Sequence, residues 1–384
     1  MVFWVKKQVL GQGTYGTVSL AVIPFPHLHR PEIAVKTARR ASYISSLHKE
    51  VQILEALRFF PGIVRCFDGD LGVEEQDGKK KITYHLLLEF APGGSLKDLI
   101  PKNGGTLPDS DVMRYTHMIL EALRYVHGEG YVHCDIKPSN IIVFPSREME
   151  TETNVRPQDH YLKIADFGSA KRRDSLLSRG CRGTLLYSSP ESVLCGLHES
   201  PADIEGIYRN RVTRSHKKLR KIRERLGNTS VPLSSHGRTR CEKQGSPKYS
   251  PTPTDIWSLG CTMIEMITGK PPWSTTIKDV RQLQREIGMG KQLPAQIPQN
   301  LSEHGKDFLR MCLIRDPCSR WTADMLLEHP FLAEGPLSAA VAYYPSDEDN
   351  RWNSVQSMFE RYHYTVKLGM MKLKSEAQCV GLEG

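Results

Sequence analysis

The sequence predicts an α+β protein in two lobes, a strand-rich first lobe with one main helix and a mostly helical second lobe. Three observations carry this. The first hundred residues hold short β-branched and apolar runs around a single amphipathic stretch. Pro92-Gly93-Gly94 then punctuates the chain. Beyond it apolar residues recur at helical spacing, most clearly from Ile256 to Leu332. The chain of 384 residues can bury a core without staples, since compact chains of roughly 300 residues bury about three quarters of their unfolded surface.

Each element has its reason. Val9 to Val22 is rich in β-formers and broken by glycines, so it reads as strand, glycine turn and strand. Ile33 to Thr37 is a short apolar strand. Ser42 to Phe59 sets Ile44, Leu47, Val51 and Leu54 on one helical face, and Pro61-Gly62 is expected to end that helix. Lys79, Lys80 and Lys81 close a polar hairpin before the apolar strand Ile82 to Phe90. Residues 1–91 are the expected first lobe and 92–333 the second, with 334–384 a tail of weak patterning and no repeat.

Composition removes several classes. Hydrophobic residues are 39% and charged residues 25%, as in a soluble globular protein. No stretch approaches the ~18 consecutive apolar residues of a membrane span. The N-terminus, Met1 to Lys7, lacks the apolar core of a secretory signal. Nine cysteines, an odd number without a Cys-x-x-Cys pair, argue against a disulfide framework and a structural zinc site. Reduced thiols in the cytoplasm or the nucleus are the simple reading. His27 and His29 read as loop residues.

The net charge of +9 invites a nucleic-acid role, but its location does not. Residues 196–252 carry 13 Lys and Arg against 5 Asp and Glu, while the rest of the chain has 39 against 38. The basic segment includes His216 to Leu226, where Leu219, Ile222 and Leu226 recur at roughly helical spacing. Two readings stay open for it. One is an amphipathic dock for an acidic partner, a membrane surface or a nuclear-import receptor. The other is a solvated segment of no defined role.

Chemistry-bearing residues follow in order. Gly11-Gln12-Gly13-Thr14-Tyr15-Gly16-Thr17-Val18 has the spacing G-x-G-x-x-G-x-V. Dinucleotide-binding folds share its glycines, but there a helix follows. Here Thr17 to Val22 reads as a strand, so the segment is a glycine-rich hairpin, suited to lie over phosphates or simply to turn. Ala34-Val35-Lys36 ends a strand in a lysine. Glu50, at the edge of the helix face, either pairs with it or reaches solvent. His133-Cys134-Asp135-Ile136-Lys137-Pro138-Ser139-Asn140 and Ala165-Asp166-Phe167-Gly168 bring an acid, a lysine and two hard oxygen ligands. Phosphoryl transfer asks for such groups: Asp135 to orient or accept a hydroxyl, Lys137 to face the phosphate, Asn140 and Asp166 to hold Mg2+.

These motifs, taken in order, resemble a eukaryotic protein kinase. Ser189-Pro190-Glu191, Asp255-Ile256-Trp257-Ser258-Leu259-Gly260 and Arg320 continue the resemblance, which covers about residues 4 to 333 outside the insertion. Asp-Ile-Lys-Pro-Ser-Asn and Gly183-Thr184 are similar to the Ser/Thr-kinase pattern. Leu88-Glu89-Phe90-Ala91-Pro92-Gly93-Gly94-Ser95-Leu96 is similar to plant mitogen-activated protein kinase kinase kinases.

The resemblance implies a bilobal protein-kinase fold, with ATP and Mg2+ in a cleft between lobes. It implies an ATP site at Leu10, Gly11, Gly13, Tyr15, Gly16, Val18, Ala34, Lys36, Leu88, Glu89 and Ala91, with Leu88 beside the adenine. It makes Asp135, Lys137, Lys36 and Glu50 catalytic and Asn140 and Asp166 metal ligands. Asp255 would support the catalytic loop, and Arg320 would pair with Glu191. Ser175, Ser178 and Thr184 are candidate phosphosites, and a MAP kinase kinase is the implied substrate. The chain starts almost at the first strand, so no regulatory domain is expected ahead of it. Cys134 departs from the family's arginine, which usually meets a phosphorylated residue. A thiol has no charge for that task. The alternatives are a pseudokinase-like scaffold and a nucleic-acid or membrane binder acting through the insertion.

Overall fold

The computed structural model describes residues 4–13, 16–24, 32–76, 79–145, 160–173, 183–197, 252–273, 279–290, 293–294, 301–333 and 357. By internal contacts the chain divides into two compact units. One runs through Ser95 and takes in Ile142–Gly168; the other comprises Leu96–Ile141 and resumes at Ser169.

The first unit is built on a five-stranded antiparallel sheet in the order β1-β2-β3-β5-β4. Its strands are β1 (Val5–Gln12), β2 (Gly16–Val22), β3 (Glu32–Ala38), β4 (Cys66–Gln76) and β5 (Lys79–Glu89). The two-residue alternation of strands decides which face each side chain takes. On β3, Ile33 and Val35 join Ala21, Ile23, Phe67 and Leu87 in one buried cluster, with Trp4 packed against it. Each such aliphatic burial contributes about 1.5–3 kcal/mol. Ala34, Lys36 and Ala38 take the other face, where α1 (Ile44–Ala56) lies through Leu47 against Ala38 and Tyr84. Lys36 therefore points toward the helix that carries Glu50. Glu50 itself falls on the buried stripe Leu47, Glu50, Ile53, Leu54.

Three local expectations need correction. The helix expected over 42–59 is a 3-10 turn at Ala41–Tyr43 followed by α1, and it stops at Ala56. Turn residues 57–59 follow; the restriction that Pro61 places on its predecessor reaches only Phe60, so it does not set this earlier stop. Lys79 to Lys81 do not merely close a hairpin: they are the first residues of β5, opposite Glu74 to Gln76 of β4. β4 itself is missed by pattern reading, because Gly69 and Gly72 look like breakers. They are contact positions instead: a Cβ at Gly69 would run into the Tyr84 hydroxyl, and one at Gly72 into the His85 ring.

The same unit holds β7 (Ile141–Pro145) from Ile142 on and β8 (His160–Ile164), which form a two-stranded sheet. Beyond its partner strand, β8 bonds to the segment after α1, with Val64 N–H on the Ile164 carbonyl at 2.9 Å and Ile164 N–H on the Gly62 carbonyl at 2.8 Å.

The second unit is mostly helical: α2 (Leu96–Lys102), α3 (Asp109–Gly128), α4 (Pro190–Leu197), α5 (Pro253–Thr268), α6 (Val280–Met289), α7 (Glu303–Cys312), α8 (Ala323–Leu327) and α9 (Pro330–Ala333). A short ladder pairs β6 (Tyr131–Val132) with β9 (Lys171–Arg172). α5 is the centre of this core, buried at every position from Pro253 to Ile267. Gly269 ends it in a left-handed cap with φ 66°. Ser302 and Thr322 cap the starts of α7 and α8, each oxygen accepting a backbone N–H from three residues on.

No described helix is long and apolar enough to cross a membrane. Among the described residues no disulfide forms; Cys66, Cys134, Cys195, Cys261, Cys312 and Cys318 are thiols. His27, His29, the basic stretch at 198–251 and the tail beyond 333, apart from residue 357, lie outside the described residues.

Candidate active site

In the first unit, antiparallel register sets Lys36 opposite Val18 on β2 and Leu86 on β5. Its ammonium lies 3.0 and 2.7 Å from the two oxygens of Glu50 and 2.7 Å from Asp166 Oδ1. Glu50 is 1% exposed, so it does not reach solvent. Burial alone would pull the Lys36 ammonium down; the carboxylates of Glu50 and Asp166 outweigh it and hold Lys36 above the ordinary lysine value. Asp166 has φ 61°, a left-handed backbone that Asp tolerates better than most residues.

Around this lysine, Gly11 and Val18 face each other across β1 and β2, and Gly13 N–H donates to the Gly16 carbonyl at 2.9 Å. Ala34 and Leu88 pair across β3 and β5, both buried. Leu10 is exposed on β1. Glu89 ends β5 and Ala91 follows just beyond it. Tyr15 lies outside the described residues.

In the second unit, Asp135 is the hub. Its Oδ1 accepts Thr184 N–H at 2.8 Å. Its Oδ2 accepts Lys137 Nζ at 2.7 Å and Asn140 Nδ2 at 3.2 Å. Lys137 Nζ also donates to Thr184 Oγ1 at 2.6 Å, and Asn140 Nδ2 to the Asp135 carbonyl at 2.8 Å. Gly183 makes this closeness possible, because a Cβ there would collide with the Cys134 carbonyl. Ser175 and Ser178 lie outside the described residues.

Beneath Asp135 the loop hangs on Asp255 of α5. Asp255 accepts His133 N–H at 2.9 Å, Cys134 N–H at 2.8 Å and His127 Nε2 at 2.9 Å. Cys134 is buried with φ 67°, so two carboxylate bonds hold a backbone that a non-glycine residue adopts at a cost. Burial alone would push the Asp255 carboxyl up; the His127 hydrogen bond and charge, with His133, more than offset it and hold the carboxyl below its ordinary value of 3.8. A carboxyl depressed on folding adds stability above its unfolded value and loses it as pH falls through the folded value. Unfolding measured against pH should therefore show an acid loss setting in below about 3.8. Asp255→Asn should flatten that limb while lowering stability at neutral pH. An acid limb unchanged by the substitution would contradict the assignment.

Glu191 and Arg320 meet in a fully buried fork. Arg320 Nη1 reaches Glu191 Oε1 at 2.6 Å and Nη2 reaches Oε2 at 3.0 Å. The same guanidinium donates to the Pro253 carbonyl at 2.6 Å and the Ile314 carbonyl at 2.8 Å, and it stacks over Trp257.

Two participants escape pattern reading. His127 gives no signal, since a histidine near a helix end is ordinary. Lys163 does carry one: a lysine inside the apolar strand Tyr161-Leu162-Lys163-Ile164 needs a partner. It has one in the buried Glu89 carboxylate, at 2.9 and 2.8 Å.

Asp166 and Asn140 test the fit of a divalent cation. Among the described residues no group of three or more acidic, His or Cys side chains could hold a metal alone. The Asp166 carboxylate and the Asn140 amide oxygen, one in each unit, are each hard oxygen donors of the kind a divalent cation takes. Both Asn140 bonds to Asp135 are donated by Nδ2, so the amide oxygen is used in neither.

The chain belongs to the protein kinase family. It matches the protein kinase domain over residues 4–206 and 242–332, a match that omits part of the basic insertion. Members of this family carry out ATP-dependent phosphotransfer, generally with a divalent metal. The chain is similar to mitogen-activated protein kinase kinase kinase 20 of Arabidopsis thaliana, at 36% identity over 86% of this chain and 78% of that protein. It is also similar to kinase kinase kinases 17 and 18 of the same plant. Each is 32% identical, over 87% and 92% of this chain and 70% and 86% of theirs.

Proposed function

We propose that the chain is an active serine/threonine kinase that transfers the γ-phosphoryl of ATP to a MAP kinase kinase. The observation that carries the reading is the Asp135 carboxylate, held by Thr184, Lys137 and Asn140 at once. Such a group is fixed enough to orient a hydroxyl and accept its proton. Lys137 shares its ammonium between Asp135 and Thr184, and it would face the transferring phosphate. Lys36, kept charged by Glu50, would hold the nucleotide phosphates. Leu10, Gly11, Gly13, Tyr15, Gly16, Val18, Ala34, Leu88, Glu89 and Ala91 would surround the nucleotide.

Asp166 and Asn140 would each give a hard oxygen to Mg2+. When bound there, the ion would supply positive charge to offset that of the phosphates. Lys36, Glu50, Asp135, Asn140 and Asp166 are all present, which speaks against a scaffold without catalysis. Residues 1–91 and 92–333 would be the two lobes. With 13 basic against 5 acidic side chains, the segment at 196–252 would suit docking of an acidic partner, and 334–384 is a tail given no role. Thiols at the six described cysteines support a reducing compartment, cytoplasm or nucleus.

The test is transfer from Mg-ATP to a catalytically dead MAP kinase kinase. Transfer supports the whole reading. Autophosphorylation without it would keep the kinase and discard this substrate. Binding of nucleotide without any transfer would overturn the catalytic reading.

Activity should depend little on phosphorylation of the segment between Phe167 and Thr184. The residue before Asp135 is a buried thiol, which offers a phosphate no charge. The Ser175→Ala, Ser178→Ala double variant should keep activity within about threefold, a change of under 1 kcal/mol in barrier. A collapse of activity in the same transfer assay would refute this.

A further inference from the structure

We propose that Lys163 and Glu89 form a positioning pair that sets the end of β8 leading to Asp166 against the segment Glu89–Ala91, and thereby tunes affinity for nucleotide and Mg2+. The proposal rests on the kinase reading above. Lys163 is 4% exposed and Glu89 1%. The ammonium lies 2.9 and 2.8 Å from the two carboxylate oxygens, with the Phe144 ring 4.8 Å away.

A buried ion pair of this kind is a weak source of net stability, because desolvation of both charges offsets their attraction. What it supplies is direction. Two charges in an apolar setting have one low-energy arrangement, whereas two apolar side chains have several.

The arrangement joins three stretches of chain within one unit. Glu89 ends β5, and its N–H donates to the Arg65 carbonyl at 3.0 Å. Its Oε1 accepts Arg65 N–H at 2.6 Å. Lys163 brings in β8, which is bonded on its other side to Gly62 and Val64. Three residues beyond Lys163 stands Asp166, with its left-handed backbone and its bond to Lys36. One carboxylate thus sees the strand end proposed to meet the adenine and the strand proposed to lead to the metal. Neither Glu89 Oε nor Lys163 Nζ need touch ligand. They act by holding Ala91 and Asp166 in place.

The experiment compares Lys163→Met, Glu89→Gln and the double variant with the unsubstituted chain. Binding of a fluorescent ATP analogue is titrated with and without Mg2+, KM for ATP and kcat are measured, and thermal unfolding is recorded. Lys163→Met leaves Glu89 buried without its ammonium, so both thermal stability and nucleotide binding should fall. The double variant is decisive because it buries no unpaired charge: the amide oxygen that Glu89→Gln puts in place of the carboxylate can still accept Arg65 N–H. Its melting temperature should return close to that of the unsubstituted chain. Its nucleotide affinity should stay roughly five- to tenfold weaker and its Mg2+ requirement raised, as for a binding group misplaced by a fraction of an ångström.

A double variant that binds as tightly as the unsubstituted chain would overturn the proposal. So would one that melts as low as Lys163→Met, because the pair would then be structural. An unsubstituted chain that binds no nucleotide would overturn the kinase reading itself and this proposal with it.

Discussion

Asp135→Asn is expected to lower phosphoryl transfer by roughly 10²–10⁴-fold while leaving nucleotide binding close to that of the unsubstituted chain. Asparagine has the size of aspartate. Its carbonyl oxygen can replace Oδ1 opposite the Thr184 N–H. Its NH2 then faces two donors, Lys137 Nζ and Asn140 Nδ2, in place of the oxygen that accepted both. The proton acceptor is gone, and the lysine loses its anchor. Because the affected bonds belong to the loop and not to Lys36, nucleotide titration should hardly change. Lys36→Met is the contrasting variant. It removes the ammonium between Glu50 and Asp166, leaves the 1%-exposed Glu50 without its cation, and should weaken both binding and transfer. Transfer by Asp135→Asn at the unsubstituted rate would remove Asp135 from the mechanism, whatever the resemblance of its surroundings.

Arg320→Ala should destabilise the chain by about 3–5 kcal/mol, the cost of leaving a buried partner charge unpaired. Glu191 is 1% exposed and its two oxygens receive the guanidinium fork. The carbonyls of Pro253 and Ile314 would lose donors as well, and Trp257 would lose the cation over its ring. Lysine cannot substitute, since one ammonium cannot reach these acceptors from a planar fork's positions. Thermal unfolding is the measurement. Pairing Arg320→Met with Glu191→Leu should recover much of the loss, because a buried pair exchanged for apolar residues is often neutral. An unchanged melting temperature in Arg320→Ala would show that the pair contributes nothing to stability.

What the sequence could show divides along a physical line. Lys36 and Glu50 were legible because strand and helix periodicities place each on a buried face, where a charge needs company. Asp135, Lys137 and Asn140 were legible because they sit within six residues. Arg320 and Glu191 are 129 positions apart and were connected only through family resemblance. Glu89 with Lys163 had no such guide: which acid a buried lysine meets depends on strand order, and strand order is not written in local periodicity. β4 stayed hidden for a related reason. Its glycines answer to Tyr84 and His85 on the neighbouring strand, so they look like breaks until the register is known. The end of α1 was misplaced because the apolar spacing carries on past Ala56 to Phe59 while the helix does not.

The Arg320 contacts bear on the basic segment. Glu191 lies on α4, which ends at Leu197, and the Pro253 carbonyl opens α5. One guanidinium therefore ties α4, the last described helix before residue 198, to the start of α5, the first described helix after residue 251. The two helix ends are thus fixed to each other by a side chain that stands outside the sequence between them. A change in the length of chain between α4 and α5 therefore need not alter how these two helix ends meet.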